Sequence, residues 1–590
     1  MPSSSIRKQQ QSCKVSARDS IPIIFGVTGH RDIPQSDVPI LHEAVREYFK
    51  KVVEQYPNSE VIFLSALAEG ADRIAARAAM DAGCRLGVFL PFTVDEYLND
   101  FESEVSKQEF QTFLSQALFV QVAPRLTGND SGNHDQGYVA VGVTICRYAQ
   151  CLVALWDGIA LEKPGGTADV VRMYRTGIPA PRNMPDDIIS APECGPVEHF
   201  WTRRNSNPLA IPVDKIGTRE FLPPTPSGQS TYSPMLALQE RSRWDKVFGC
   251  IDRFNLDAKS LPTVDKTNTY RQGYLISDAA LAKQWPVDDE RAKRFAWLFA
   301  TADALSVKAQ NARLGYFKQI IGVTLIAIFF EQLYSGPFAL PVLLSISIGW
   351  ALLATWRYRG INKMRLEEKY LDYRTLAEAA RVQFFWKLSG LPDCPADHYL
   401  RDQRDELEWL RQAVRAMDLP SGATVSLPDS KTGLQITLAA WVKDQMDWFR
   451  RNAPKQANWA EKLSKRAGRW FTTAIATVFF TVVFHAVTNV WFSDLHELVI
   501  PSLPALYGML FAVSGVIKLY ANIMAHQEQS NRYRKMATHF GLCNERLDSA
   551  LANGDIQTAQ LIVLMMGRQA LAENAEWLLL HRQRPIEVPI

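Results

Sequence analysis

The sequence predicts two unlike parts: an α/β Rossmann-like domain in the cytosol, then an all-α domain that crosses a membrane on four helices and carries long cytosolic helices. Three observations predict it. Residues 21–205 alternate short apolar runs with stretches of helical periodicity, the pattern of a parallel sheet covered on both faces. Four apolar windows, 316–334, 338–356, 470–492 and 498–520, lie in the C-terminal half. Lys and Arg gather on one side of every window, and the two short turns at 335–337 and 493–497 have neither.

Taken in order, residues 1–20 are polar, without an apolar core; they read as a disordered leader rather than a secretory signal. Continuous apolar runs predict buried strands at 21–28, 60–64, 85–90, 118–122, 151–155 and 196–201. Helical periodicity falls between them at 38–55, 71–82, 102–117, 139–148 and 167–176. Residues 206–287 read as an irregular connector, rich in proline up to 234, with one helix near 235–254. A long amphipathic helix is expected from about 288, opening a helical domain that runs to 590.

Composition narrows the function classes. Sixty-five Lys and Arg against 62 Asp and Glu leave a net charge of +3, no footing for nucleic-acid binding. The eight cysteines, at 13, 84, 146, 151, 194, 250, 394 and 543, form no C-x-x-C pair; neither a metal site nor a disulfide framework is expected, and a reducing compartment fits. Mean hydropathy of −0.12 conceals the segregation into windows. A span of ~30 Å of hydrocarbon takes roughly 17–25 helical residues, which the last three windows supply. The apolar run of the first, 320–334, is short and carries Glu331; extended back to 315 it takes in Tyr316 and Lys318 at the interface. The charge asymmetry places both termini and the long central segment in the cytosol. A weak repeat adds to this: Tyr373-Arg374-Thr375-Leu376-Ala377 is echoed by Tyr533-Arg534-Lys535-Met536-Ala537, an offset of 160 residues (533 − 373) that also carries the first membrane pair onto the second.

Three loops at strand ends are the candidate ligand site, because open α/β sheets bind ligands there. The first contains Gly26, Thr28, Gly29, His30 and Arg31; its glycines are expected to let backbone approach a phosphate, with Arg31 adding a charge-assisted contact. The second contains Ser65, Leu67, Glu69, Gly70, Asp72 and Arg73 at the start of a helix, whose backbone donors favour an anion. Glu69 is a candidate for a ribose hydroxyl, and Asp72 serves equally well as a cap. The third contains Trp156, Asp157, Gly165, Gly166 and Thr167, with Trp156 placed to stack on a base or to pack at the rim. Neither a Walker A lysine motif nor a complete G-x-G-x-x-G occurs in this part, which disfavours a standard ATPase or dehydrogenase.

These loops, in this order and spacing, resemble the SLOG superfamily, the Rossmann-like group that includes the DNA-processing and LONELY GUY proteins. The run SALAEGADRIAARAAM at 65–80 is similar to the SGLAxGID-type motif of the former, and 165–167 to a shortened PGGxGTxxE signature of the latter. The position of that signature's catalytic glutamate holds Val170, so the resemblance implies binding without turnover and no catalytic residue. The C-terminal half resembles the SLATT family of membrane effector domains through YRTLAEAARVQ at 373–383, Phe385-Trp386 and ENAEWLLLHRQRP at 573–585. Together the resemblances imply an antiphage membrane effector of the bacterial inner membrane. Its ligand would be a nucleotide-derived second messenger of the cyclic nucleotide or cyclic ADP-ribose type. No other cofactor is required; the expected partners are the bilayer, further copies of the chain, and a signal-producing enzyme linked by function rather than by stable binding.

The third window carries a polar row at Thr473, Thr477, Thr481, His485 and Asn489, each four residues apart and so on one helical stripe. Such a stripe either packs helices together or lines a pore. Two other functions stay open: a membrane-anchored nucleotide or NAD hydrolase of the LONELY GUY type, and a ligand-independent channel.

Overall fold

The computed structural model describes residues 20–124, 134–159, 163–177, 194–225, 233–261, 275, 290–335, 340–398, 404–420, 430–491 and 499–583. All but the last residue of the expected leader lies outside that set, as do both membrane turns except Ser335. The chain divides into two units: residues 1–270, 286–298 and 393–427 form the first, and residues 271–285, 299–392 and 428–590 the second.

In the first unit, apolar runs pair into a sheet because strands buried on both faces need no alternation. The strands are β1 (Ile23–Gly29), β2 (Val61–Ser65), β3 (Arg85–Leu90), β4 (Phe119–Val122), β5 (Cys151–Trp156), β6 (Val197–Trp201) and β7 (Arg219–Leu222). Their order is β4-β3-β2-β1-β5-β6-β7, parallel except for the antiparallel β6–β7 pair. Register sets Phe25 beside Phe63 and Gly29 beside Leu155. The helices of this unit up to residue 270 include α1 (Val38–Gln55), α2 (Ala71–Asp81), α3 (Glu104–Gln116), α4 (His134–Tyr148), α5 (Thr167–Thr176) and α6 (Pro234–Lys259). Phe49 of α1 packs edge-on against both Phe25 and Phe63, at 5.1 and 5.3 Å between ring centroids.

The sheet unit reaches past residue 205, where the sequence placed its end. Strand β7 falls in the proline-rich stretch, and Glu198 of β6, 5% exposed, accepts from Arg219 of β7 at 2.9 Å and Arg241 of α6 at 3.4 Å. Asn255 of α6 closes the other end of the helix onto β1, accepting from the Ile21 N–H at 2.8 Å and donating to its carbonyl at 2.9 Å. A buried carboxylate and a buried amide each need partners, so these ties fix both elements.

Longer helices follow: α7 (Glu290–Ser335), α8 (Pro341–Met364), α9 (Leu366–Leu388), α10 (Arg404–Met417), α11 (Ser430–Thr437), α12 (Asp444–Trp491), α13 (Leu503–Met524), α14 (His526–Ala552) and α15 (Ile556–Gln583). The series α7-α8-α9 has 46, 24 and 23 residues, and α12-α13-α14 has 48, 22 and 27. Each series turns a corner at one left-handed residue that is not glycine: Arg365 (φ 49°, ψ 36°) and Ala525 (φ 47°, ψ 35°). These corners are 160 residues apart, the offset of the sequence repeat. Each hairpin is also pinned by a buried serine donating to an alanine carbonyl of the preceding helix, Ser347 to Ala327 at 2.8 Å and Ser514 to Ala467 at 2.9 Å.

Among the described residues three helical stretches, Arg291–Ser335, Ser430–Val487 and Leu503–Ala552, are long and apolar enough to cross a membrane. The second expected window corresponds to α8, which is not among these three; that window begins at residue 338, and residues 336–339 lie outside the described set.

Candidate functional site

Strand order reverses between β1 and β5, so the carboxyl ends of these two strands face the crevice where parallel sheets bind ligands. The first and third sequence-predicted loops meet there. The Asp157 N–H donates to His30 Nε2 at 3.0 Å. Asp157 itself is buried; its carboxylate accepts from the Ile159 N–H at 3.0 Å and from Arg204 at 2.7 Å. Burial alone would raise this carboxyl, but the Ile159 N–H, Arg204 and His30 outweigh it and hold it below its ordinary value. Burial pushes His30 the other way, below 6.5, against the pull of Asp157, which suits an imidazole nitrogen that accepts. Asp32 is held low by the Asn205 side chain (2.7 Å) and the Ser206 N–H (3.0 Å). Arg204 and Asn205, from the loop after β6, therefore brace the crevice by holding Asp157 and Asp32.

Arg31 is exposed and lies over the Tyr138 ring, 4.7 Å from its centroid. Among the described residues no carboxylate lies within ion-pair distance of it. Tyr138, near the start of α4, donates its hydroxyl to Asp100, and its backbone packs against Gly165. Through this one tyrosine the loops after β1, β3 and β5 converge. Beyond Gly165 no side chain caps α5 at Gly166, although the Gly165 N–H donates to Asp169 at 3.1 Å. The first N–H groups of a helix without a side-chain cap favour an anion.

The second loop is more strained. Leu67 is fully buried at φ 56°, and Ser65 Oγ accepts from its N–H at 2.9 Å. Asp72, 6% exposed, accepts from the Ala68 N–H at 3.4 Å. Burial pushes its carboxyl up to about 7, partly offset by the Ala68 bond and by Arg31. Arg73 is a buried brace, donating to the Leu67 carbonyl (3.1 Å) and to Ser106 and Glu109. Glu69 accepts from the Ser106 hydroxyl. Tyr97, 1% exposed, lies within electrostatic reach of Arg31 and Asp72, and its hydroxyl has no hydrogen-bond partner among the described residues.

The glycines do different work from the one expected. A Cβ on Gly29 would meet the Ala71 side chain and, at 2.6 Å, the Leu155 carbonyl. One on Gly70 (φ 79°) would run into the carbonyls of His30 and Arg31, and one on Gly26 would meet Ile145 at 2.5 Å. These glycines bring α2, α4 and the loops against one another. Gly166, by contrast, has an ordinary φ, and a Cβ there would meet Lys163, its carbonyl oxygen at 3.0 Å and its Cβ at 3.4 Å. Thr28 stays on β1 beside Ala154, and Thr167 is the first residue of α5. Trp156 is buried, so it packs instead of offering a free face. Its neighbour in register, Trp201, has Lys215 Nζ 3.3 Å from its ring centroid and the His199 ring 4.2 Å away. Tyr97, Tyr138 and Arg204 carry no motif in the sequence, since only folding brings them to the crevice.

Val170 is buried beside Gly142, and Cys146 lies against its carbonyl, so no carboxylate stands at that point of α5. On α12, Thr477 donates to the Thr473 carbonyl at 2.9 Å and Thr481 to that of Thr477 at 2.8 Å, the bonding of threonines to their own helix. Thr473 and His485 are exposed, while the side chain of Asn489 lies outside the described set. The chain matches no known family model, no curated protein and no solved structure.

Proposed function

We propose that the chain is a signal-gated membrane effector: a nucleotide-derived second messenger binds at the β1/β5 crevice, and the helical unit then opens a pore or disrupts the inner membrane in antiphage defence. One observation carries the reading. Arg31, with no carboxylate within ion-pair distance among the described residues, stands over Tyr138, whose backbone packs against Gly165 just before the α5 N-terminus, where the strand order reverses. A guanidinium and open backbone N–H groups suit a phosphate. The buried Val170 supports binding without turnover. The likeness of the two halves to the SLOG and SLATT families supports their fusion as sensor and effector.

In this reading α8 completes a four-pass bundle with both termini cytosolic. Homo-oligomers supply the aqueous path, since one four-helix unit has little room for one. One of the covalent links between the units is α7, whose residues up to Leu298 belong to the first unit and the rest to the second. Ligand shifts the equilibrium only by its differential affinity for the two states.

Titration of the detergent-purified full chain with cyclic nucleotides and cyclic ADP-ribose isomers tests the site. Saturable binding of at least one, weakened tenfold or more by Arg31→Ala, is expected; removal of a charge-assisted contact to phosphate is worth about 1.5–3 kcal/mol. Binding untouched by Arg31→Ala, or no binding of any of them, contradicts it.

A further inference from the structure

We propose that the cytosolic end of the second membrane hairpin, from Lys462 to Trp470 on α12, is a surface for the phosphate headgroups of anionic phospholipids. This rests on the membrane reading above and adds to it a lipid class and a place. Lys462, Lys465, Arg466 and Arg469 are all exposed. Spacings of four and three residues put 462, 466 and 469 on one helical face. Lys465 pairs with Glu461 at 2.5 Å, but among the described residues no carboxylate lies within ion-pair distance of the other three.

Aromatic residues bracket the cations. Trp459 is 52% and Trp470 41% exposed, and Lys462 Nζ lies 5.8 Å from the Trp459 ring centroid. Beyond Trp470 the same helix exposes Phe471, Ile475, Phe479 and Val483. Cations, then tryptophan, then bare apolar surface is the sequence a helix meets on passing from water through headgroups into hydrocarbon. The first hairpin differs. Its Arg313 is held by Glu367 at 2.9 Å and Arg365 by Glu368 at 2.5 Å, so part of its charge is spent within the chain. Lys318, Arg357 and Arg359 of that hairpin also have no carboxylate within ion-pair distance among the described residues, but they are divided between α7 and α8, whereas the three cations of the second hairpin share one face of α12. Each Lys or Arg near an anionic surface favours it by about five-fold, so three act together well above tenfold.

The test is lipid retention. The full chain is reconstituted in vesicles of equal phosphatidylcholine and phosphatidylglycerol, extracted, and its bound lipids counted by native mass spectrometry. The expected result is enrichment of phosphatidylglycerol well above tenfold, falling to near parity in K462Q/R466Q/R469Q and unchanged in K50Q/K51Q, which alters exposed lysines of α1. Parity in the unaltered chain, or enrichment that survives the triple substitution, overturns the proposal while the chain's entry into vesicles leaves the membrane reading standing. Loss of enrichment on adding inorganic phosphate, beyond that from chloride at equal ionic strength, overturns it in favour of a free-anion site. A folded, helical chain that enters no vesicle of any composition overturns the membrane reading and this proposal with it.

Discussion

Asp72 shows how a single buried group sets a measurable pH dependence. Its carboxyl is pushed from 3.8 to about 7, so between those values the folded chain holds a proton that the unfolded chain has released. Stability must therefore fall as pH rises through that window, by up to about 4 kcal/mol at 1.36 kcal/mol per unit. Asp72→Asn is expected to flatten that fall, which chemical unfolding of the purified chain at pH 4.5 and 7.5 measures; an unchanged slope would assign the pH dependence to other groups. Glycines give a second prediction. Gly70→Ala should cost about 3 kcal/mol or more, because a left-handed backbone and two carbonyls oppose its Cβ, whereas Gly166→Ala should leave the melting temperature nearly unchanged and weaken ligand binding. Glycine positions were legible in the sequence, but their crowded side was not. A glycine that admits a helix and one that admits a phosphate read alike until the neighbours are in place.

At the scale of elements, apolar runs located six of the seven strands among the described residues, because buried parallel strands need continuous hydrophobicity. Strand β7 was hidden: four residues, Arg-Glu-Phe-Leu, between prolines and glycine, stabilised by a partner strand and by Arg219 on Glu198. Helix α6 showed its periodicity but not its attachment, which depends on Asn255 finding the backbone of Ile21. The repeat was legible in five residues, yet the corners at Arg365 and Ala525 were not, since neither residue marks a left-handed turn. That conformation costs an L-residue about 1–2 kcal/mol. Ala525→Gly is therefore expected to raise the thermal midpoint of the chain, and Ala525→Val, branched at Cβ, to lower it by several degrees. Equal midpoints in both variants would remove the corner from the repeat unit.

The whole molecule joins a sheet unit with a bracketed crevice to a helical unit with three stretches able to cross a membrane. The apolar windows made the stretches that are long and apolar enough to cross a membrane legible, because hydropathy depends on composition alone. The crevice was only half legible: its loops lie at strand ends the sequence located, but Tyr97, Tyr138 and Arg204 come from elsewhere in the chain. The central claim is that ligand at this crevice controls the membrane, and the most direct measurement is dye release from liposomes carrying the full chain. Release on addition of one cyclic nucleotide or cyclic ADP-ribose isomer, absent without it and abolished by Arg31→Ala, is the expected result. Release that is equal with and without every such ligand, or none under any of them, would contradict the account.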